Sequence, residues 1–280
     1  MLVLECDAVG RPTARQFIER PLVYLDHWAW MDLADDENRR SAFVRALKRR
    51  GGTLGFSHVN WVECADVADI DRLGRMEDLM AACMPQLFFT EFDPAEAIRR
   101  LHDPATGEDD SAVLGSNRLF LGFADMHRQS MHPLDPALFI RQLRMPKMAE
   151  AVLELRRLLE RGWRGAVDKG REMMATTESG MAEVKRGITR EAERLPLVVV
   201  REGATYQVLK SGMRSDDPRH ARDFFHLVVP LSGCDLVVLD ANGHERARQI
   251  QRELRLKEKL TFESAVFCAL DDAIRWLGAA

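Results

Sequence analysis

The sequence predicts an α/β protein with a central parallel sheet, and three observations carry that expectation. Two short apolar runs, Leu22-Val23-Tyr24-Leu25 and Leu236-Val237-Val238-Leu239, each end in an aspartate, Asp26 and Asp240. Both are continuously apolar, as strands covered on both faces are, rather than alternating. Between residues 22 and 90 strand-like and helix-like segments alternate as β-α-β-α-β, the order of a doubly wound sheet.

Residues 1–20 are weakly patterned and read as an irregular arm or a short edge strand at Leu2-Val3-Leu4. After the strand at 22–26, Phe43, Val44, Ala46 and Leu47 give a helical spacing over Ser41–Arg50, and Gly51-Gly52 stops it. Thr53-Leu54-Gly55-Phe56 reads as a strand, and Ser57 suits the N-cap of a helix through Trp61, Val62, Ala65 and Val67. A helix over 72–83 and a strand at Gln86–Thr90 follow. Residues 94–196 read as almost wholly helical, broken by a polar loop at 102–110 and by Pro133, Pro136 and Pro146, with strand character at 197–200. A loop at 211–220 leads into a helix over 219–231, the strand at 235–240, a charged helix over 244–256, a strand at 265–268 and a helix over 271–277. The expected organisation is an α/β domain, residues 1–95 and 206–280, split by a largely helical insertion at 96–205.

Composition narrows the function classes. A net charge of −4 gives no whole-molecule attraction for nucleic acid, although a local basic face and metal ions can still hold a polyanion. Five cysteines, widely separated and without CxxC spacing, point to buried thiols in a reducing cytoplasm rather than to zinc or disulfides. No apolar run reaches the length of a membrane span, and residues 1–20 lack an apolar signal core, so a cytoplasmic protein is expected. Neither a GxxxxGK[ST] loop nor a strand-following GxGxxG is present. A haloacid-type phosphatase would need a second aspartate where Trp28 stands, and no GxSxG elbow occurs.

Four acids fall where the carboxyl edge of a parallel sheet collects ligands. Asp26 and Asp240 end strands, Glu63 lies in the second turn of the helix opened by Ser57, and Asp223 starts the helix that feeds the strand ending at Asp240. Carboxylates gathered without an evident basic partner repel one another, and a hard divalent cation such as Mg²⁺ or Mn²⁺ relieves that repulsion. Asn60 shares a face with Glu63, and Ser57 and Asn60 are candidates to orient a phosphate or a water, though capping explains Ser57 without chemistry. His226, three residues past Asp223, is expected to support the site or meet the substrate rather than bind the ion. His220 and His226 lie about 240° apart around a helix, so both cannot easily meet one ion. Trp28, Trp30 and Trp61 read as core.

This pattern resembles the PIN-like nucleases. The matching stretches are PLVYLD at 21–26, SHVNWVE at 57–63, DFFHLVVPLSGCDLVVLD at 223–240 and the closing VFCALDDAIRWL at 266–277. The resemblance covers about 20–95 and 215–280, and the insertion between 94 and 196 is longer than a minimal member carries; Asp216 and Asp217 compete with Asp223 for the third acidic position. It implies a three-layer α/β/α fold and a Mg²⁺- or Mn²⁺-dependent endoribonuclease with Asp26, Glu63, Asp223 and Asp240 as its acidic quartet. RNA is then the substrate, with a protein inhibitor or a second copy of the chain as a further partner. Between 141 and 200 the insertion has 13 Lys and Arg against 9 Asp and Glu. It offers Arg141, Arg144, Lys147, Arg156, Arg157, Arg161, Arg164 and Lys169 as an RNA-gripping face or, more simply, as a solvated helical face. The rival expectation is a non-catalytic module of the same fold that binds RNA or protein.

Overall fold

The computed structural model describes residues 1–175, apart from 11, 92, 102, 104–109, 116, 130–134, 144 and 146–147, together with 218–258 and 264–279. The strand expected at 197–200 and the competing Asp216 and Asp217 lie outside the described residues.

The chain opens with an antiparallel hairpin of β1 (Leu2–Cys6) and β2 (Pro12–Gln16), a two-stranded sheet of its own that contains the short strand expected at Leu2-Val3-Leu4 and adds a partner not expected from the sequence. Its turn is closed by Asp7, whose carbonyl takes the Gly10 N–H and whose carboxylate takes the Val9 N–H, with Gly10 at φ 79° where a side chain would be strained. Leu2 anchors the hairpin to the body, fully buried with its N–H on the Pro85 carbonyl.

Five parallel strands form the main sheet: β3 (Leu22–Leu25), β4 (Thr53–Ser57), β5 (Leu87–Thr90), β6 (Leu236–Val238) and β7 (Ala265–Phe267), in the order β5-β4-β3-β6-β7. Every residue of β3, β4, β5 and β6 is buried. Successive side chains point to opposite faces, so the sheet is covered on both, which is why these strands are continuously apolar. Gly55 leaves room for β5 to approach, since a Cβ there would stand 2.7 Å from Thr90 Cγ2. From β3 the chain moves outward through β4 to β5, then returns to the other side of β3 with β6 and β7. The winding therefore reverses between β3 and β6, which pair in parallel through Val23 with Leu236 and Leu25 with Val238. Their carboxyl ends open the crevice where α/β sheets hold ligands.

The first crossover contains two helices, α1 (His27–Asp35) and α2 (Glu37–Arg49). Only the second is evident from the sequence, because Asp36 is at once the end of α1 and the N-cap of α2, accepting from Arg39 N at 3.0 Å. Next come α3 (His58–Cys64) and α4 (Ile70–Ala82), then α5 (Pro94–Leu101), α6 (Asp110–Leu114), α7 (Asn117–Gln129), α8 (Leu138–Gln142) and α9 (Met148–Ala175) in the helical region. After the undescribed stretch come α10 (Pro218–Gly233), α11 (Ala241–Glu258) and α12 (Leu270–Gly278). The helical region is no detached appendage. α9 packs on α3 and α10, with Trp163 against Phe224 at 5.2 Å between ring centroids, and α8 packs on α4. Among the described residues no helix is long and apolar enough to cross a membrane.

Candidate metal centre

Three elements deliver the side chains that meet at the crevice. β3 ends at Leu25, and Asp26 turns the chain into α1 as its N-cap, with Oδ1 accepting from His27 N at 2.5 Å. Its other oxygen accepts from Asp240 N at 3.2 Å, and its own N–H donates to the Val238 carbonyl at 2.9 Å, so Asp26 is tied across the point where β3 and β6 part. α3 starts at Ser57 with a reciprocal capping box: Ser57 Oγ accepts from Asn60 N at 3.4 Å, and Asn60 Oδ1 accepts from Ser57 N at 2.9 Å. Glu63, one turn beyond Asn60, then faces the crevice. α10 supplies His226.

The imidazole is the hub. His226 Nε2 lies 2.7 Å from Glu63 Oε2 and 3.6 Å from Asp26 Oδ1, and Nδ1 lies 2.7 Å from the Tyr24 hydroxyl. Tyr24 in turn meets Ser57 Oγ at 3.1 Å, Ser57 meets Asn60 Oδ1 at 3.0 Å, and Asn60 Nδ2 donates to the Leu25 carbonyl at 3.0 Å. The His226 side chain is 4% exposed, whereas Asp26 and Glu63 keep 16% and 13%, so solvent reaches the cluster from the carboxylate side.

Burial pushes the Asp26 carboxyl above its usual value, with His226 opposing and the Glu63 charge adding to the rise. For Glu63 burial also acts upward, but the charge and hydrogen bond of His226 outweigh it and the net shift is down. For His226 burial acts downward, yet Glu63 and Asp26 together raise its pKa to about 9. Burial raises the Tyr24 phenol well above its normal range. Without an ion, the two carboxylates at Nε2 therefore favour the imidazolium form of His226.

Asp26, Glu63 and His226 each offer a ligand atom, all within 4.8 Å of one another. An ion about 2.1 Å from two adjacent ligands separates them by about 3 Å, and the contacts of 2.7 and 3.6 Å bracket that edge. Two carboxylate oxygens and one imidazole nitrogen thus suit a divalent cation in donor type, with the two edges at His226 close to that spacing.

The other two acids lie beside this cluster and outside its ligand group, Asp240 with its N–H on Asp26 and Asp223 close enough for its charge to act on His226. Asp223 is paired with Arg246 Nη1 at 3.1 Å; burial raises its pKa, Arg246 opposes this, and the nearby Asp240 charge adds to the rise. Asp240 is exposed, and its Oδ1 caps α11 by accepting from Gly243 N at 2.6 Å. The expected quartet therefore divides into Asp26 and Glu63 on His226, and Asp223 and Asp240 along α10 and α11. Ser57 and Asn60 are 1% exposed and face each other and Tyr24 rather than the crevice mouth.

Tyr24 is the participant the sequence reading passed over. Its signal was present: it is the only polar-tipped side chain in the run 22–25, two residues before Asp26 and so on the same strand face. Trp30 and Trp61 are buried in the core, as expected.

One turn past Glu63, Asp66 accepts from Arg222 Nη1 at 2.8 Å and from Arg156 of α9. Arg141 is paired with Glu77 and Asp135, and Arg157 and Arg161 with Glu154. These cations are offset by local acids, in keeping with a solvated helical face. Arg144, Lys147 and the side chain of Lys169 lie outside the described residues. Compared with known proteins, the chain matches no family model, no curated protein and no solved structure.

Proposed function

We propose that the protein is a PIN-like, metal-dependent ribonuclease on a three-layer α/β/α core. One observation carries the reading: Asp26, Glu63 and His226 converge at the carboxyl ends of β3 and β6, where the winding of the sheet reverses. The strand order and the sequence stretches that resemble PIN-like nucleases support it further.

Asp26 and Glu63, whose side chains keep 16% and 13% exposure, would hold Mg²⁺ or Mn²⁺ through their carboxylates. When bound, such an ion lowers the pKa of a coordinated water and offsets charge that builds on a phosphoryl group. The chain supplies the remainder. Tight hydrogen bonds to His27 N and Asp240 N fix the orientation of Asp26, and His226 fixes Glu63. Arg222 and Arg156 both pair with Asp66, one turn past Glu63, and two guanidinium charges on one carboxylate would leave a net positive charge for an RNA phosphate entering from the α9 side. Asp240, exposed at the mouth, would orient the attacking water or a second ion.

The test is cleavage of a labelled single-stranded RNA and a matched DNA with Mn²⁺, with Mg²⁺ and with EDTA, beside Asp26→Asn. Metal-dependent cleavage of RNA that is lost in the variant is expected; cleavage that survives both EDTA and the substitution would refute the proposal. A non-catalytic RNA- or protein-binding module is favoured by one observation, the engagement of the Asp223 carboxylate by Arg246. That reading predicts salt-sensitive RNA binding with no cleavage and no stabilisation by Mn²⁺.

A further inference from the structure

The hydrogen-bond chain behind the carboxylates has only one consistent order of protons. Asn60 sets it. Its side-chain nitrogen donates to the Leu25 carbonyl at 3.0 Å and its oxygen receives the Ser57 backbone N–H at 2.9 Å, so the amide cannot be reversed. An amide oxygen has no hydrogen to give, and the Ser57 hydroxyl at 3.0 Å must therefore donate to it. With that hydrogen committed, Ser57 Oγ is an acceptor towards Tyr24 at 3.1 Å, and the phenol must donate to serine. Tyr24 has no second hydrogen, so across its 2.7 Å contact with His226 the ring nitrogen is the donor. Nδ1 is thus protonated, and any lone pair on this imidazole must sit on Nε2, which points at Glu63 and Asp26.

We propose that His226 is a metal ligand through Nε2, that Tyr24 is the positioning residue presenting that nitrogen, and that the centre therefore prefers Mn²⁺, Co²⁺ or Zn²⁺ to Mg²⁺. The inference rests on the metal-dependent reading above and deepens it by naming the class of ion. An all-carboxylate site suits Mg²⁺, whereas an imidazole in the ligand set favours transition metals, which bind nitrogen more strongly. Ligating histidines are ordinarily held in one tautomer by a hydrogen bond at the other ring nitrogen. Here that bond is made by a tyrosine whose own hydroxyl is fixed from behind by Ser57 and Asn60. This arrangement goes beyond the sequence-based view of His226 as a supporting or substrate-facing residue. It also gives Ser57 and Asn60 a part besides capping: both set the tautomer without touching the substrate.

The experiment is pulsed electron paramagnetic resonance of Mn²⁺ bound to the full-length chain, with Mn²⁺ and Mg²⁺ affinities measured by calorimetry. Wild type is expected to show coupling from one imidazole nitrogen that changes with ¹⁵N-histidine labelling and disappears in His226→Gln. Tyr24→Phe, checked for folding by circular dichroism in EDTA, is expected to weaken Mn²⁺ binding by about tenfold while Mg²⁺ binding changes little. Mn²⁺ that binds in an Asp26-dependent way without nitrogen coupling would overturn the assignment of His226 and leave the metal-dependent reading standing. Absence of Mn²⁺ binding by wild type would overturn both. A folded Tyr24→Phe with an unchanged Mn²⁺-to-Mg²⁺ ratio would overturn the positioning role. The wild-type spectrum needs no variant, so the ligand assignment is decided even if Tyr24→Phe fails to fold.

Discussion

Replacing His226 by glutamine in the metal-free protein removes one proton-binding site, and its effect on stability has a pH signature set by the surrounding carboxylates. Glu63 and Asp26 hold the folded imidazolium at a pKa of about 9 against 6.5 when exposed. A group whose pKa is raised by folding stabilises fully below the unfolded value and loses that contribution as pH climbs through the folded value. Between pH 6.5 and about 9 the folded chain carries a proton that the unfolded chain lacks. Stability should then fall by about 1.4 kcal/mol per pH unit, and by about 3 kcal/mol across the window. His226→Gln lacks this slope; without the imidazolium the Asp26 and Glu63 carboxyls move up in the variant, so the comparison is read at the alkaline end of the window. Urea denaturation of both proteins in EDTA, at half-unit steps from pH 6 to 10, reads the difference directly. Wild type and variant curves that stay parallel throughout would refute the imidazolium form of His226.

Other substitutions probe the same framework. Asn60→Ala should lose roughly 2–4 kcal/mol by urea denaturation, because it orphans the Ser57 N–H and the Leu25 carbonyl in a buried site; a loss below about 0.5 kcal/mol would contradict the network. Asp235 accepts from Leu22 N at 2.6 Å and from Arg20 at 2.8 Å, locking β6 to β3. Asp235→Ala should therefore lower stability by about 1–3 kcal/mol without altering Mn²⁺ affinity in calorimetry. Mn²⁺ at a hundred times its dissociation constant should stabilise wild type by about 2.7 kcal/mol, an effect that Asp26→Asn abolishes and Asp223→Asn largely keeps; equal losses in a thermal-shift comparison would contradict the division of the four acids. Gly55→Ala forces a Cβ to within 2.7 Å of Thr90 Cγ2 in the middle of the sheet, so a fall of about 1–3 kcal/mol is expected in the same denaturation assay.

The sheet was legible because strands covered on both faces are apolar throughout, and the shortness and β-branched content of runs such as 22–25 and 236–239 favour strand over buried helix. Ser57 announced its helix equally well, since a serine followed by Asn60 can satisfy two orphan N–H groups at once. The α1–α2 break was harder to see, because a single aspartate closes one helix and caps the next, leaving neither glycine nor proline as a sign. The first strand of the N-terminal hairpin was legible at Leu2-Val3-Leu4, but its partner β2 stayed hidden because it is polar and lacks alternation.

At the site, the positions of Asp26 and Glu63 followed from strand ends and helix spacing. The partner of each acid did not. Whether Asp223 meets an ion or Arg246 depends on how α10 and α11 pack, and those helices contribute the two residues from 23 positions apart. The link between Tyr24 and His226 spans 202 positions in sequence and carries no local signal at all.

The most direct measurement is a crystal structure of the protein grown with Mn²⁺, with data collected at the manganese absorption edge. A single strong anomalous peak bonded to Asp26 Oδ1, Glu63 Oε2 and His226 Nε2 is the expected result. A peak confined to Asp223 and Asp240, or no peak at millimolar Mn²⁺, would contradict a metal centre built on His226 and its two carboxylates.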